Sequence, residues 1–165
     1  MRPEAVEAML PFMTDVFANP SGSHRFARQA RKSIDEARDV FAEAIGCKPG
    51  EIVFTGCGTE SDNTAITGVI RRSPGVAVCS ATEHHAVLHC VEHANGVVVR
   101  TNHLGTIDLE ALQAVLSPDV VSVSVMAVNN ETGAITDLAA VSKNRASLRT
   151  ASDIAHRCRA SCVLD

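Results

Sequence analysis

Apolar residues recur every three or four positions through the first 45 residues: Val6, Met9, Leu10, Met13 and Val16 within 3–17, then Phe26, Ala30, Ile34, Ala37, Phe41 and Ala44 within 25–45. That spacing lays a stripe along one side of a helix, so it predicts two amphipathic helices. Between them Asn19-Pro20-Ser21-Gly22-Ser23-His24 is a turn cluster, with Ser23 or Ser21 available as an N-cap. From Glu51 the pattern changes to short apolar runs near 51–54, 76–80, 97–100 and 120–125, separated by helical stretches near 59–71, 85–94 and 108–116. Such alternation predicts a largely parallel sheet covered on both faces by helices. Residues 137–160 read as interrupted helix, and Cys162-Val163-Leu164-Asp165 reads as the opening of another strand.

In a sheet of this kind ligands gather at the carboxyl ends of the strands. The loops 55–59, 81–85 and 127–133 all fall there, and each carries polar groups. Ile52-Val53-Phe54 runs through Thr55-Gly56-Cys57-Gly58 into Thr59, a strand-to-helix turn that would aim free amides and a helix dipole at an anion. Thr59 and Asp62 also have the spacing of a capping box, which by itself implies only a capped helix. Glu83-His84-His85 sets an imidazole at the end of the next strand, where a surface histidine is the simpler reading. Asn129-Asn130-Glu131-Thr132-Gly133 is ordinary turn chemistry, yet paired amides can also orient a polar ring or a carboxylate. His85, His89 and His93 recur every four residues beside Cys90, a spacing that can bring imidazoles together for zinc; no metal ligand is assigned on spacing alone.

Composition narrows the classes. With 165 residues, 45% hydrophobic and 21% charged, the chain is sized for one globular domain. A net charge of −4 leaves no broad cationic face, despite Lys143, Arg145, Arg149, Arg157 and Arg159, and argues against nucleic acid as a partner. No apolar run long enough for a membrane span and no secretory leader is visible, so a cytoplasmic protein is expected. Cys47, Cys57, Cys79, Cys90, Cys158 and Cys162 form no CxxC pair and read as reduced thiols.

Taken together and in order, Asn19-Pro20-Ser21 with His24, Phe54 through Asn63, Thr82-Glu83-His84 with Ala86-Val87-Leu88, and Val128-Asn129-Asn130-Glu131-Thr132-Gly133 resemble the cysteine desulfurases. These are pyridoxal-phosphate enzymes of the class V aminotransferase family. The resemblance covers roughly residues 2–142 and resumes at Asp153. It implies an α/β fold, the partial large domain of fold-type-I pyridoxal-phosphate enzymes, with a helical segment over 1–48 and the cofactor-binding domain over 49–165. It also implies that Gly58 and Thr59 bind the cofactor phosphate and that His84 stacks on the pyridine ring and moves protons. Asn130 would lie near the phenolic oxygen and the substrate, and Asp165 would pair with the pyridinium nitrogen.

The implied reaction takes sulfur from L-cysteine, giving L-alanine and an enzyme persulfide for a sulfur acceptor or iron–sulfur scaffold. The full-length form would be a homodimer. The resemblance places an Ala-Thr-Thr-Pro segment before Met1, and the Schiff-base lysine and persulfide cysteine after Asp165. None of Lys32, Lys48 and Lys143 has the family's Ser-x-His-Lys context, so the 165 residues alone are expected to be inactive. Cys57 stands where the family has glycine, at a cost of about 1 kcal/mol if that position needs a positive φ. Residues 143–152 read as an insertion. Alternative readings are a selenocysteine lyase or another class V member, a non-catalytic fragment or interaction partner of an intact paralogue, and a small zinc protein using His85, His89, Cys90 and His93.

Overall fold

A computed structural model describes residues 1–146, which fall into two compact units, Met1–Phe54 and the segment from Thr55 on. The first unit is built on α1 (Pro3–Thr14) and α2 (Arg25–Ile45). The three residues after Thr14 expected in the first helix are not helical. His24, rather than Ser21 or Ser23, is the N-cap of α2: its Nδ1 accepts the Ala27 N–H at 3.2 Å. Ser21 instead donates its amide to Asn19 Oδ1, and the Ser23 carbonyl accepts from Arg28. Gly46 ends α2 at φ +70°, the left-handed conformation that glycine adopts without a Cβ penalty.

The run 51–54, expected as a strand, is not one. Pro49–Glu51 forms a 3₁₀ turn, and Ile52 continues in extended conformation without a ladder partner among the described residues. Phe54 packs instead within the first unit, edge-on to Phe41 with ring centroids 5.8 Å apart and under the Arg38 guanidinium at 5.4 Å.

The second unit carries the expected alternation: α3 (Gly58–Arg72), β1 (Val76–Ser80), α4 (His85–His93), β2 (Val97–Val99), α5 (Leu109–Val115), β3 (Val120–Ser124) and α6 (Leu138–Ala146). The strands form a parallel sheet ordered β2-β1-β3, with Val78 opposite Val97 and Val123. Its connections put helices on both faces, because a parallel return must cross over the sheet. On one face Ala77 and Cys79 pack against Ile66 of α3 and Val87, Cys90 and Val91 of α4. On the other, Val78 and Val99 pack against Ile107, just before α5, and Leu112 of α5, with Val141 of α6 alongside.

Alternating residues of β1 thus serve two cores, which is why this strand is nearly fully buried. The last stretch expected to be helical is described only to Ala146; Asp165, Cys158, Cys162 and most of the insertion lie outside the described residues.

Candidate functional site

Asp108, Thr82 and Asn129 show how the carboxyl rim of the sheet is built. Asp108 caps α5 by accepting the Glu110 and Ala111 amides at 3.0 Å each, and its other oxygen takes Arg100 at 2.8 Å. Those bonds, the Ala111 amide first, hold its carboxyl below the usual range. Thr82, just past β1, donates its hydroxyl to the Gly105 carbonyl at 3.1 Å, and its own carbonyl accepts Asn129 Nδ2 at 2.9 Å. One residue thereby joins the loops that follow all three strands. Asn129 also turns its own loop, its Oδ1 accepting the Glu131 and Thr132 amides at 3.0 and 2.9 Å.

Beside that rim the start of α3 is open. Its N-cap is Cys57, which makes no side-chain cap, so the capping box expected from Thr59 and Asp62 does not form. Cys57 has φ −167°, extended backbone that any residue adopts, and the cost anticipated for a non-glycine there does not arise. The first amide of this turn to reach back is that of Ser61, to the Cys57 carbonyl at 3.1 Å. The amides of Gly58, Thr59 and Glu60 are therefore the donors a helix leaves without an internal partner. Glu60 turns back to accept the Gly56 amide at 2.7 Å, and the Thr55 and Ser61 hydroxyls meet across the turn.

Thr59 lines a hollow of about 630 Å³ together with Asn63 and Thr67 of α3 and with His84, His85, His89 and His93. This lies within the ~300–1,000 Å³ typical of small-ligand sites. Asn63 holds its two sides together, donating to the Thr59 carbonyl at 2.8 Å and across to the Ala86 carbonyl at 3.3 Å. His84 is the N-cap of α4, its Nδ1 accepting the Ala86 amide at 3.1 Å. A nitrogen that accepts needs its lone pair, so the proton of the neutral ring sits on Nε2. The structure thus brings Thr59 and His84 to one hollow, with Gly58 at the head of the same helix. Asn130 is exposed on the loop after β3 and is not among the residues lining that hollow.

Glu83 and Asn63 were not singled out by the sequence, because each acts through a partner far along the chain. Glu83 accepts the Met126 amide, tying the loop that carries His84 to the one that carries Asn130. Burial pushes its carboxyl up to about 7, with Asp62 adding to the rise and the Met126 amide and His84 opposing it. The folded state therefore keeps a proton that the unfolded chain releases near the ordinary 4.5, and stability from this group falls as pH rises from there through about 7. Glu83→Gln keeps an oxygen for Met126 and cannot ionise. Its stability relative to the parent should increase between pH 5 and pH 8 in urea unfolding; parallel pH profiles would contradict the buried-proton assignment.

Among the described residues Cys47, Cys57, Cys79 and Cys90 are free thiols, and burial raises Cys79 to about 12 and shifts Cys90 upward. Neither buried thiol is a ready nucleophile. No helix of the described residues is long and apolar enough to cross a membrane.

Comparison with known proteins adds an independent line. The family profile described as Aminotransferase class-V matches residues 1–157. A cysteine desulfurase IscS of Dictyoglomus turgidum is 39% identical over 151 residues, covering 87% of this chain and 38% of that protein. One of Tolumonas auensis is 41% identical over 151 residues, covering 84% and 37%. The chain thus spans less than two fifths of the length of these relatives. Among solved structures, a NifS-like protein superposes with a TM-score of 0.83 at 28% identity, over 91% of this chain and 43% of the other. DndA from Streptomyces lividans superposes at 0.73 with 31% identity, over 86% and 42%.

Proposed function

Because the chain belongs to the class V aminotransferase family, whose members depend on pyridoxal phosphate, we propose that residues 49–165 are the partial cofactor-binding domain of a cysteine desulfurase. Residues 1–48 are its N-terminal helical segment. The observation that carries this reading is the uncapped start of α3, set with Thr59 in the same hollow as a histidine of fixed tautomer. The donor set fits the cofactor: three amides at a helix N-terminus and the Thr59 hydroxyl suit a phosphate dianion, and the exposed face of His84 suits a flat aromatic ring.

When bound, pyridoxal phosphate supplies an electron sink for bond breaking at the substrate α-carbon. In the proposed arrangement the amides of Gly58, Thr59 and Glu60 hold the phosphate, and the ring of His84 lies against the pyridine. His84 Nε2–H faces away from the helix cap and can give a proton while Nδ1 keeps its bond to Ala86. Asn130 would orient the phenolic oxygen and substrate, and Asp165 would pair with the pyridinium nitrogen.

For the whole protein the proposed reaction converts L-cysteine to L-alanine and delivers sulfur to an acceptor or iron–sulfur scaffold protein, in the cytoplasm and as a homodimer. The names of the relatives support the desulfurase part of this reading. The 165 residues by themselves are proposed to bind the cofactor reversibly without turning over cysteine, since none of the lysines in the sequence has the family's tethering context.

A chimera tests the function: this chain replaces the matching 151 residues of the Dictyoglomus turgidum relative. It is expected to release alanine from L-cysteine. Its His84→Asn variant keeps an N-cap acceptor but loses the ring, and should be slowed at least about a hundredfold, as for loss of a positioned general acid. A folded, cofactor-loaded chimera without alanine release, or one indifferent to His84→Asn, would contradict the proposal.

A further inference from the structure

The exposed face of α4 holds a feature that the cofactor reading does not use. His85 and His89 are one helical turn apart, both exposed, and their ring centroids lie 5.2 Å apart with planes tilted by 47°. Two imidazoles that share one tetrahedral cation at metal–nitrogen distances of about 2.05 Å have ring centroids about 5 Å apart. The observed centroid separation is close to that value, so the backbone of α4 already sets the two rings at the spacing a shared ion requires. The other residues suggested by spacing do not join them. Cys90 is only 8% exposed and packs with Val87 and Val91. His93 is tied through Nδ1 to the His89 carbonyl at 2.7 Å. Among the described residues no three His, Cys, Asp or Glu side chains converge as metal ligands, so a closed structural site is not what the geometry offers.

We propose that His85 and His89 form a two-imidazole clamp for a borderline divalent cation such as zinc, with the remaining coordination positions open to water or an incoming ligand. A two-point clamp on one helix turn needs only neutral imidazoles, and helix α4 itself supplies the spacing. His85 and His89 both line the hollow that also contains Thr59 and His84. The clamp stands on the coordinates of α4 alone and does not rest on the cofactor assignment.

Equilibrium dialysis of the whole chain against zinc at pH 7.5, with circular dichroism to verify folding, tests it. One zinc per chain should bind more tightly than any others, and His85→Gln and His89→Gln should each weaken that binding at least tenfold. Gln suits an exposed helix position, so both variants should keep the helical spectrum. His93→Gln and Cys57→Ser should retain the tight zinc. Full binding by either His85→Gln or His89→Gln, or its loss in His93→Gln or Cys57→Ser, would overturn the clamp.

Discussion

Leu112→Ala is expected to lower the unfolding free energy by about 3 kcal/mol, near the middle of the range for buried leucine truncations. Leu112 is 1% exposed and is the buried residue by which the seven-residue α5 is anchored. It packs with Val78 of the central strand, Val99 and Ile107, so its loss opens a void against the sheet as well as loosening the helix. A helix this short has little stability apart from its packing. Because ordinary domains are stable by only about 5–15 kcal/mol, the variant should shift the urea midpoint visibly. Leu104→Ala, at a site 66% exposed, should change stability by no more than about 0.5 kcal/mol. Similar effects for the two would mean that the α5 face of the sheet is not a core.

Gly58→Pro should weaken binding of pyridoxal phosphate by roughly tenfold or more while leaving the fold intact, since one hydrogen bond to a charged group contributes about 1.5–3 kcal/mol. Gly58 is the first residue of α3, where proline is well tolerated because its missing N–H has no helical partner. Cys57 before it is extended, the conformation that a residue preceding proline favours. The substitution therefore removes one phosphate donor with little else. Pyridoxal without its phosphate is the control and should bind parent and variant alike. Equal losses for both ligands would place the defect elsewhere than in a phosphate contact.

Much of the fold was legible because its signals are local. The stripe over 25–45 and the continuous run at 76–80 fix α2 and β1 to the residue, and strand–helix alternation predicts the parallel sheet with two covered faces. The run at 52–54 shows the limit. A β-branched and aromatic segment reads the same whether it enters a ladder or, as here, places Phe54 against Phe41. Caps failed for a related reason. An imidazole is not a usual N-cap, so His24 and His84 were hidden in that role, and Thr59–Asp62 spacing could not reveal that α3 begins one residue earlier on an uncapped Cys57.

The site divides in the same way. His84 could be placed from strand-end logic, since it follows β1, whereas Thr59 was approached through a run that is not a strand, and its place in the same hollow rests on the packing of α3 beside α4. Asn63 and Glu83 could not be placed from the sequence, because their roles are set by bonds to Ala86 and Met126, 23 and 43 residues away. The exposure of Asn130 depends on how its loop turns on Asn129, which spacing does not specify.

The central claim is that the open start of α3 holds the phosphate of a ring seated against His84. Amide-resolved NMR of the chain, titrated with pyridoxal phosphate and then with pyridoxal, tests it most directly. The account expects the Gly58, Thr59 and Glu60 amides to shift with the phosphorylated compound and much less with the other, while resonances of His84 and Ala86 respond to both. Shifts confined to other parts of the chain, or unmoved α3 amides at saturating pyridoxal phosphate, would contradict it.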